Sequence, residues 1–249
     1  MPTVPSTTLR IGLLQCGHIH PDLVPEHGDY PEAFAALLGP FGVELTTFDV
    51  DHGPVPTDVE AFDGWLVSGS ANSAYEDLPW IPKVEDLLRK MIDAHVPLVA
   101  VCFGHQLLAQ AMGGTVAKSP DGWGVGAHAY ELVDADRTWM TPPAAGSVRL
   151  IASHQDQVTE LPAGAIVLAR TDHCPVAAYL LGDAALAIQP HPEFTADVSR
   201  GLVGLRREMI GEDTSDVALA SLDQPLDREL IGSWMATFLR QAHEQRIGA

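Results

Sequence analysis

Short apolar runs alternate with amphipathic segments along the first hundred residues of the chain. Four runs have the length and continuity of buried strands, and they lie at 10–15, 43–50, 62–67 and 96–102. Apolar residues at 84, 87, 88, 91 and 92 recur at helical spacing and predict an amphipathic helix over Ile81–Asp93. A second helix is predicted over Tyr30–Leu38, closed by Gly39-Pro40. This alternation predicts a three-layer α/β fold, with a mostly parallel central sheet flanked by helices.

The second half of the chain is richer in strand patterns and ends in helices. Further strands are predicted at 148–152, 165–169, 176–181 and 185–189. From 195 to 247 the pattern is helical, and 226–244 is its clearest amphipathic segment. No low-complexity linker or fixed-period repeat interrupts the chain. We therefore expect a single domain over 1–249, in which 195–249 forms a C-terminal helical extension.

Composition and charge exclude several classes of function. The 249 residues carry 14 Lys and Arg against 33 Asp and Glu, a formal net charge of −19. Because nucleic acids and anionic membranes are bound chiefly through Lys and Arg, we expect neither as a partner. A hydrophobic fraction of 46% is ordinary for a globular protein, so the acidity does not indicate disorder.

Cysteine usage and the start of the chain bear on the compartment. Cys16, Cys102 and Cys174 are too few and too scattered for a disulfide framework or a Cys-x-x-Cys metal site. The start of the chain lacks the apolar region of a secretory signal, and no apolar run approaches the roughly 20 residues of a membrane span. The sequence therefore predicts a cytoplasmic protein.

The segment 97–114 has the pattern of a nucleophile elbow. An apolar strand ends on Cys102, Gly104 relaxes the turn, and a helix follows at once, with a buried stripe at Leu107, Leu108, Ala111 and Met112. At a helix N-terminus, free N–H groups and the helix dipole favour a thiolate. A buried structural cysteine fits the local pattern equally well, so this segment alone does not decide between the two.

A second segment, His191-Pro192-Glu193, favours the catalytic interpretation. It follows the strand predicted at 185–189. In extended backbone, residues i and i+2 point to the same side, and proline between them restricts the backbone. A carboxylate that orients an imidazole, which in turn deprotonates a thiol, is the arrangement of cysteine hydrolases.

Together these segments resemble the class I, triad-type glutamine amidotransferase domain, in the GMP-synthetase-like and γ-glutamyl peptidase-like subgroup. The resemblance rests on four motifs, which are Cys102-Phe-Gly-His-Gln106, Gln189-Pro-His-Pro-Glu193, the turn Ser68-Gly-Ser-Ala71 and Ser153-His-Gln-Asp-Gln-Val158. Cys102 and His191 lie 89 residues apart, which also fits the family. The motifs occur in the family's order and the resemblance spans about residues 10–195, so it implies a flavodoxin-like fold.

The resemblance implies attack of a thiolate on a γ-glutamyl carbonyl, a glutamyl thioester, and hydrolysis by water. Carried over, Cys102 is the nucleophile, His191 the general base and then acid, and Glu193 the group that orients His191. The backbone N–H groups of Ser70 and Phe103 form the oxyanion hole. Residues that hold the glutamyl moiety are Gln106, Ser153, His154 and Gly69, with a nearby cation as a further element of recognition. No cofactor and no metal are implied.

Three positions depart from the family pattern. Ala100 stands for the usual glycine two residues before the cysteine, and Pro190 for the aromatic residue before the histidine. The turn Gly69-Ser-Ala71 lacks the second glycine and the proline of the usual Gly-Gly-Pro. None of these departures removes a catalytic atom. They leave open which conformation the oxyanion turn adopts without substrate, and therefore whether the free enzyme is fully active.

Other candidate residues have simpler interpretations. His18, His20, His27 and His52 lie in a polar N-terminal region, and although His18-Ile-His20 has metal-ligand spacing, no third ligand follows nearby. We therefore predict surface or pocket-rim histidines and no metal site. Cys16 and Cys174 are predicted in the core. Residues 72–77 fit either a solvated loop or a contact with the leaving group.

The resulting prediction is a stand-alone hydrolase that cleaves a small γ-glutamyl amide through a thioester on Cys102. Two alternatives share the fold, namely a glutaminase subunit that delivers ammonia to a separate synthetase, and a catalytically silent binding module. A different cysteine hydrolase of flavodoxin-like fold fits Gln106 and the Ser-His-x-Asp segment less well. A second copy of the chain and a transient synthetase are both open as protein partners.

Overall fold

The N-terminal half of the fold follows the predicted alternation of strands and helices. The computed structural model describes residues 8–248. Its first elements are β1 (Leu9–Gln15), α1 (Val24–His27), α2 (Tyr30–Leu38), β2 (Val43–Asp49), β3 (Gly64–Val67), α3 (Ile81–Asp93), β4 (Leu98–Val101) and α4 (Phe103–Ala111). The predicted end of α2 is confirmed, since the helix stops at Leu38 with Gly39 as its C-cap. Gly39 keeps a helical φ of −55° and opens a 3-10 helix over Gly39–Phe41, which ends at left-handed Gly42. Pro40 fits the first turn of that helix, where no N–H is needed.

The second half contains three strands that the sequence pattern did not predict. Its strands are β5 (Thr115–Lys118), β6 (Gly124–Leu132), β7 (Ser147–His154), β8 (Asp156–Glu160), β9 (Ala165–Arg170), β10 (Ala178–Leu181) and β11 (Ala185–Ile188). The unpredicted ones are β5, β6 and β8. Strands β5 and β8 are short and polar and pair only with each other, while β6 carries glycines that weaken a strand pattern. At Gly126, a Cβ atom would lie 2.8 Å from the backbone of Ala218, so the glycine permits the close approach of a helix.

The C-terminal segment forms the helices α5 (Ala196–Leu205), α6 (Arg207–Ile210), α7 (Glu212–Ser221) and α8 (Arg228–Gly248). Helix α8 packs on α2 and buries Trp234 and Phe238 in the core. This part of the chain therefore covers one face of the sheet. Within residues 8–248, no helix combines the length and apolar character needed to cross a membrane.

Within the described residues, nine strands form the main sheet in the order β2-β1-β3-β4-β11-β10-β9-β6-β7. The first five are parallel, and the remaining pairs are antiparallel. Following these pairings, seven of the nine strands run in the same direction, and only β10 and β6 are reversed. The predicted α/β fold with a mostly parallel central sheet is confirmed.

Helices cover both faces of this sheet. On one face, α3 and α4 pack around Trp65, Leu88 and Phe103, and on the other, α2, α5 and α8 pack around Phe34 and Phe238. The three layers bring the carboxyl ends of the parallel strands to one edge, which is where open α/β sheets bind ligands. The segments that follow β3, β4 and β11 carry most of the predicted site residues, and Ser153 and His154 lie at the end of β7.

Candidate active site

Cys102 occupies a strained turn between β4 and α4. Its φ of 53° and ψ of −103° lie outside the usual regions for a residue with a side chain, a conformation that costs roughly 1–3 kcal/mol. The backbone N–H of Cys102 donates to Ile188 O at 2.8 Å, and that of Gln106 donates to Cys102 O at 3.1 Å. A Cβ on Gly104 would lie 2.9 Å from Val67 O, so only glycine lets α4 start this close to β3. The strain is held by the neighbouring strands and presents the thiol at the helix N-terminus.

His191 and Glu193 form a buried pair directly after β11. His191 Nδ1 donates to Glu193 Oε1 at 2.6 Å, and the two residues are 2% and 1% exposed. The backbone N–H of His191 donates to Ile151 O at 2.8 Å, which attaches the segment to β7. Arg228, at the start of α8, donates to the carbonyl oxygens of Pro192 and Glu193 at 3.0 and 2.9 Å. These contacts fix the backbone on which both side chains are carried.

Two aromatic rings set the plane of the imidazole. Phe194 stacks on His191 with ring centroids 4.1 Å apart and only 2° between the planes. Tyr30 in turn stacks on Phe194, with ring centroids 5.9 Å apart and 21° between the planes. Phe194 directly follows Glu193, whereas Tyr30 lies in α2, more than 160 residues away along the chain and outside every motif. The stack prevents the buried imidazole from tilting.

The electrostatics of this pair favour an imidazolium. Burial by itself would lower the pKa of His191, but the charges of Cys102 and Glu193 and its hydrogen bonds with both raise that pKa above its usual value. Burial raises the pKa of the Cys174 thiol to about 12, and that of the Cys16 thiol still further. Those two cysteines pack in the core as predicted, and they are not nucleophiles at neutral pH.

A chain of buried amides reaches the thiol from the side of β11. Gln189 Nε2 donates to Cys102 Sγ at 3.7 Å. Gln106 Nε2 donates to Gln189 Oε1 at 3.1 Å and to Asp156 O at 2.8 Å. Gln106 was predicted to hold the glutamyl moiety, and its amide nitrogen is engaged with protein groups. Gln189, which no prediction assigned a role, contacts the sulfur.

The turn after β3 lies directly above His191. A Cβ on Gly69 would lie 2.6 Å from Tyr30 Oη and 3.0 Å from His191 Cε1, so this position requires glycine. Ser68 Oγ accepts from Cys16 N–H and donates to Gly69 O, both at 2.9 Å. Ser70 follows and lines the same cleft as Cys102. The amide of Phe103 is the first of α4, where the helix itself offers it no acceptor.

A cleft of about 330 Å³ opens beside the thiol. Ser153 lines it and accepts a hydrogen bond from Arg206 Nη1 at 3.3 Å, and the Arg206 guanidinium lies 6.0 Å from the Trp123 ring. Lys118 is a second cation on the wall. The sequence predicted a nearby cation but did not identify Arg206, because it follows α5 and lies outside every motif. The cleft walls also carry the carboxylates of Glu76 and Asp156, so the positive charge of Arg206 and Lys118 is local and not a net excess.

His154, the other predicted substrate residue, is buried in the cleft wall. Its Nδ1 donates to Asp156 O at 3.2 Å. Burial, with a smaller contribution from His191, lowers the pKa of His154 to about 3, so its ring is neutral. A neutral imidazole beside an imidazolium adds no competing charge to the site.

Three residues of the segment 72–77 line the cleft. These are Asn72, Ser73 and Glu76, and Tyr75 Oη donates to Asp156 Oδ1 at 3.0 Å. The segment is therefore a wall of the cleft, and its contact with a leaving group stays a prediction.

Comparison with known proteins agrees with this geometry. Residues 24–203 match the family model "Glutamine amidotransferase class-I". The chain is 34% identical to Gamma-glutamyl peptidase 4 of Arabidopsis thaliana over 69% of this chain and 70% of that protein, and 31% identical to Gamma-glutamyl peptidase 5 over 88% and 90%. A crystal structure of a glutamine amidotransferase from Methylobacillus flagellatus superposes with a TM-score of 0.75 at 23% identity, covering 96% of both chains. The chain therefore belongs to the class I glutamine amidotransferase family.

Proposed function

We propose that this chain is a stand-alone hydrolase of small γ-glutamyl amides, which acts through a glutamyl thioester on Cys102. The observation that carries the proposal is the strained turn at Cys102, adjacent to a buried His191–Glu193 pair with a 2.6 Å hydrogen bond. The similarity to γ-glutamyl peptidases extends over most of both chains, which supports activity without a synthetase domain.

In the first half-reaction, Cys102 Sγ forms a bond to the γ-carbonyl carbon of the substrate. The negative charge on the carbonyl oxygen is received by the backbone N–H groups of Ser70 and Phe103, and such donors are typically worth about 3–4 kcal/mol of barrier. As the C–N bond breaks, the leaving nitrogen takes the proton held by His191 Nε2. The raised pKa of His191 keeps that proton available at neutral pH.

In the second half-reaction, His191 accepts a proton from water while the water oxygen attacks the thioester carbon. The C–S bond breaks, glutamate leaves, and Cys102 returns as a thiolate beside a protonated His191. Glu193 keeps the Nδ1–H tautomer and orientation throughout, because its Oε1 accepts that proton at 2.6 Å.

Recognition is assigned to the positive side of the cleft. A γ-glutamyl substrate carries an α-carboxylate, and the Arg206 guanidinium next to Ser153 offers it a charge-assisted hydrogen bond. Asn72, Ser73 and Glu76 also line the cleft, and we assign them to the leaving group. All three thiols are free, which fits a reducing compartment, so we infer the cytoplasm.

The test measures glutamate released from a γ-glutamyl dipeptide, from L-glutamine and from the matching α-glutamyl dipeptide, without ATP. We expect turnover of the γ-linked compounds, none of the α-linked one, and loss of turnover in Cys102→Ala. Cys174→Ala is the matched control, since Cys174 is equally buried but lies outside the cleft. Absence of glutamate release from every γ-linked compound would refute the proposal.

The alternatives predict different outcomes. A glutaminase subunit would prefer L-glutamine over the dipeptide and gain activity when its synthetase is added. A silent module would not react with a glutamine-derived electrophile. Labelling at Cys102 that is abolished by His191→Ala supports the enzyme over the module.

A further inference from the structure

Three side chains near the active site converge on one point at the carboxyl ends of β1 and β2. His18 Nε2 lies 3.2 Å from His52 Nδ1 and 3.4 Å from Asp49 Oδ2, and His52 Nδ1 lies 3.3 Å from Asp49 Oδ2. The three candidate ligand atoms thus form a nearly equilateral triangle. We refer to His18, Asp49 and His52 as the His-Asp-His cluster.

The size of this triangle matches one face of a zinc coordination sphere. A tetrahedral zinc ion with bonds of about 2.0–2.1 Å has its ligand atoms about 3.3–3.4 Å apart. An octahedral ion with similar bonds would need ligand atoms about 2.8–3.0 Å apart. The observed separations of 3.2, 3.4 and 3.3 Å fit the tetrahedron.

A hydrogen bond to Asp29 sets the tautomer of His18. His18 Nδ1 donates to Asp29 Oδ2 at 2.6 Å, which leaves the Nε2 lone pair directed at the other two ligands. Asp29 is itself held, because it accepts from Ile19 N–H and from Gln15 Nε2, both at 2.8 Å, and caps α2. A carboxylate that orients a histidine in this way is the usual outer partner of a metal-bound imidazole.

We propose that the His-Asp-His cluster is a zinc site with three protein ligands and one exchangeable position. The side chains of His18, Asp49 and His52 are 35%, 37% and 67% exposed, so the fourth position opens to solvent and takes water or an external ligand. The sequence predicted no metal site, because His20 was the only near partner of His18. In the fold, Asp49 at the end of β2 and His52 in the loop that follows lie next to His18 in place of His20. His20 Nδ1 lies 3.8 Å from Asp22 Oδ2.

The site would tie two loops together beside the oxyanion turn. A Cβ on Gly17 would lie 2.8 Å from Ser70 Oγ and 3.0 Å from Ser70 Cα, so the loop that carries His18 packs directly on that turn. Ile19 and His20 line a narrow cavity that also includes His191. An ion bound by His18 and His52 would hold this loop to the end of β2.

Isothermal titration calorimetry with Zn²⁺ tests the proposal. All proteins carry Cys102→Ser, which removes the thiolate as a competing zinc ligand. We expect one zinc ion per chain in this parent, and binding weakened by more than about 100-fold in His18→Ala and in His52→Ala. Asp29→Asn, which preserves the helix cap, should lower the zinc affinity by about 10–100-fold. His20→Ala is the matched control and should bind like the parent.

A second readout reports the geometry. Co²⁺ in the parent should give the intense visible absorption of a tetrahedral ion, absent in His52→Ala. Because His52 is largely exposed, this variant should fold like the parent, which circular dichroism checks. The proposal is overturned if the parent binds no zinc at micromolar concentration, if His52→Ala binds as tightly as the parent, or if the cobalt spectrum is octahedral.

Discussion

Gly69→Ala tests the close packing of the oxyanion turn on the candidate general base. The new methyl group would lie 2.6 Å from Tyr30 Oη and 3.0 Å from His191 Cε1, whereas ordinary contact begins at 3.4 Å. The turn or the Tyr30 ring must therefore move by about 0.8 Å. Tyr30 cannot give way easily, because it is buried and stacked on Phe194.

The expected cost follows from that displacement. Forcing an extra methyl group into a packed site typically costs about 1–3 kcal/mol, so urea unfolding should show that loss in Gly69→Ala. A shift of about 1 Å at a reacting group can cost about 100-fold, so kcat/KM for glutamate release should fall by about that factor. Tyr30→Phe removes the closest atom, and the double variant should recover part of both losses, with a coupling of about 0.5–3 kcal/mol.

Gly39→Ala is the matched control for this experiment. Gly39 has a helical φ of −55°, and an added Cβ would meet nothing within 4 Å. Its stability should be unchanged or rise by less than about 1 kcal/mol, with full activity. If Gly69→Ala keeps the stability and kcat/KM of the wild type, or if Tyr30→Phe shows no coupling to it, close packing of Gly69 on Tyr30 and His191 is refuted.

Three further predictions concern residues around the site. Arg206→Ala should raise KM for a γ-glutamyl dipeptide by about 10–100-fold, with a smaller effect on kcat. Arg206→Lys should recover part of that loss, and an unchanged KM in Arg206→Ala would exclude Arg206 from substrate binding. Arg228→Ala should lower the free energy of unfolding by about 2 kcal/mol and lower kcat at constant KM, because it removes the hydrogen bonds that hold the backbone after His191. A change in KM alone would contradict this positioning role. Burial lowers the pKa of His105 from 6.5 to about 3. Below about pH 6.5 the unfolded chain therefore binds a proton at His105 that the folded chain does not bind. The free energy of unfolding should decrease as the pH is lowered from about 6.5 to about 3, by up to about 1.4 kcal/mol per pH unit. His105→Leu should reduce this slope in urea unfolding at several pH values, and an identical slope would show that His105 is protonated in the fold.

The predicted elements of the parallel half agree with the structure because their determinants are local. Helix α3 was predicted with its observed bounds, since an apolar stripe at helical spacing requires nothing from the rest of the chain. The same holds for the approach of His191 to Glu193, which follows from two residues of extended backbone. By contrast, β5 and β8 pair only with each other, across 38 or more residues of chain, and their short polar sequences carry no apolar alternation.

The sequence by itself determined the strand–turn–helix at Cys102, the His191–Glu193 pair and the strands that carry them, because each depends on neighbours a few residues away. Only the tertiary structure brought Arg206 to Ser153, stacked Tyr30 and Phe194 on His191, and joined His18 to Asp49 and His52. These contacts link separate elements through individual side chains. Because such pairs do not recur at a fixed spacing along the chain, they cannot be predicted from the pattern of apolar and polar residues. Which side chains meet is decided by the packing of the three layers.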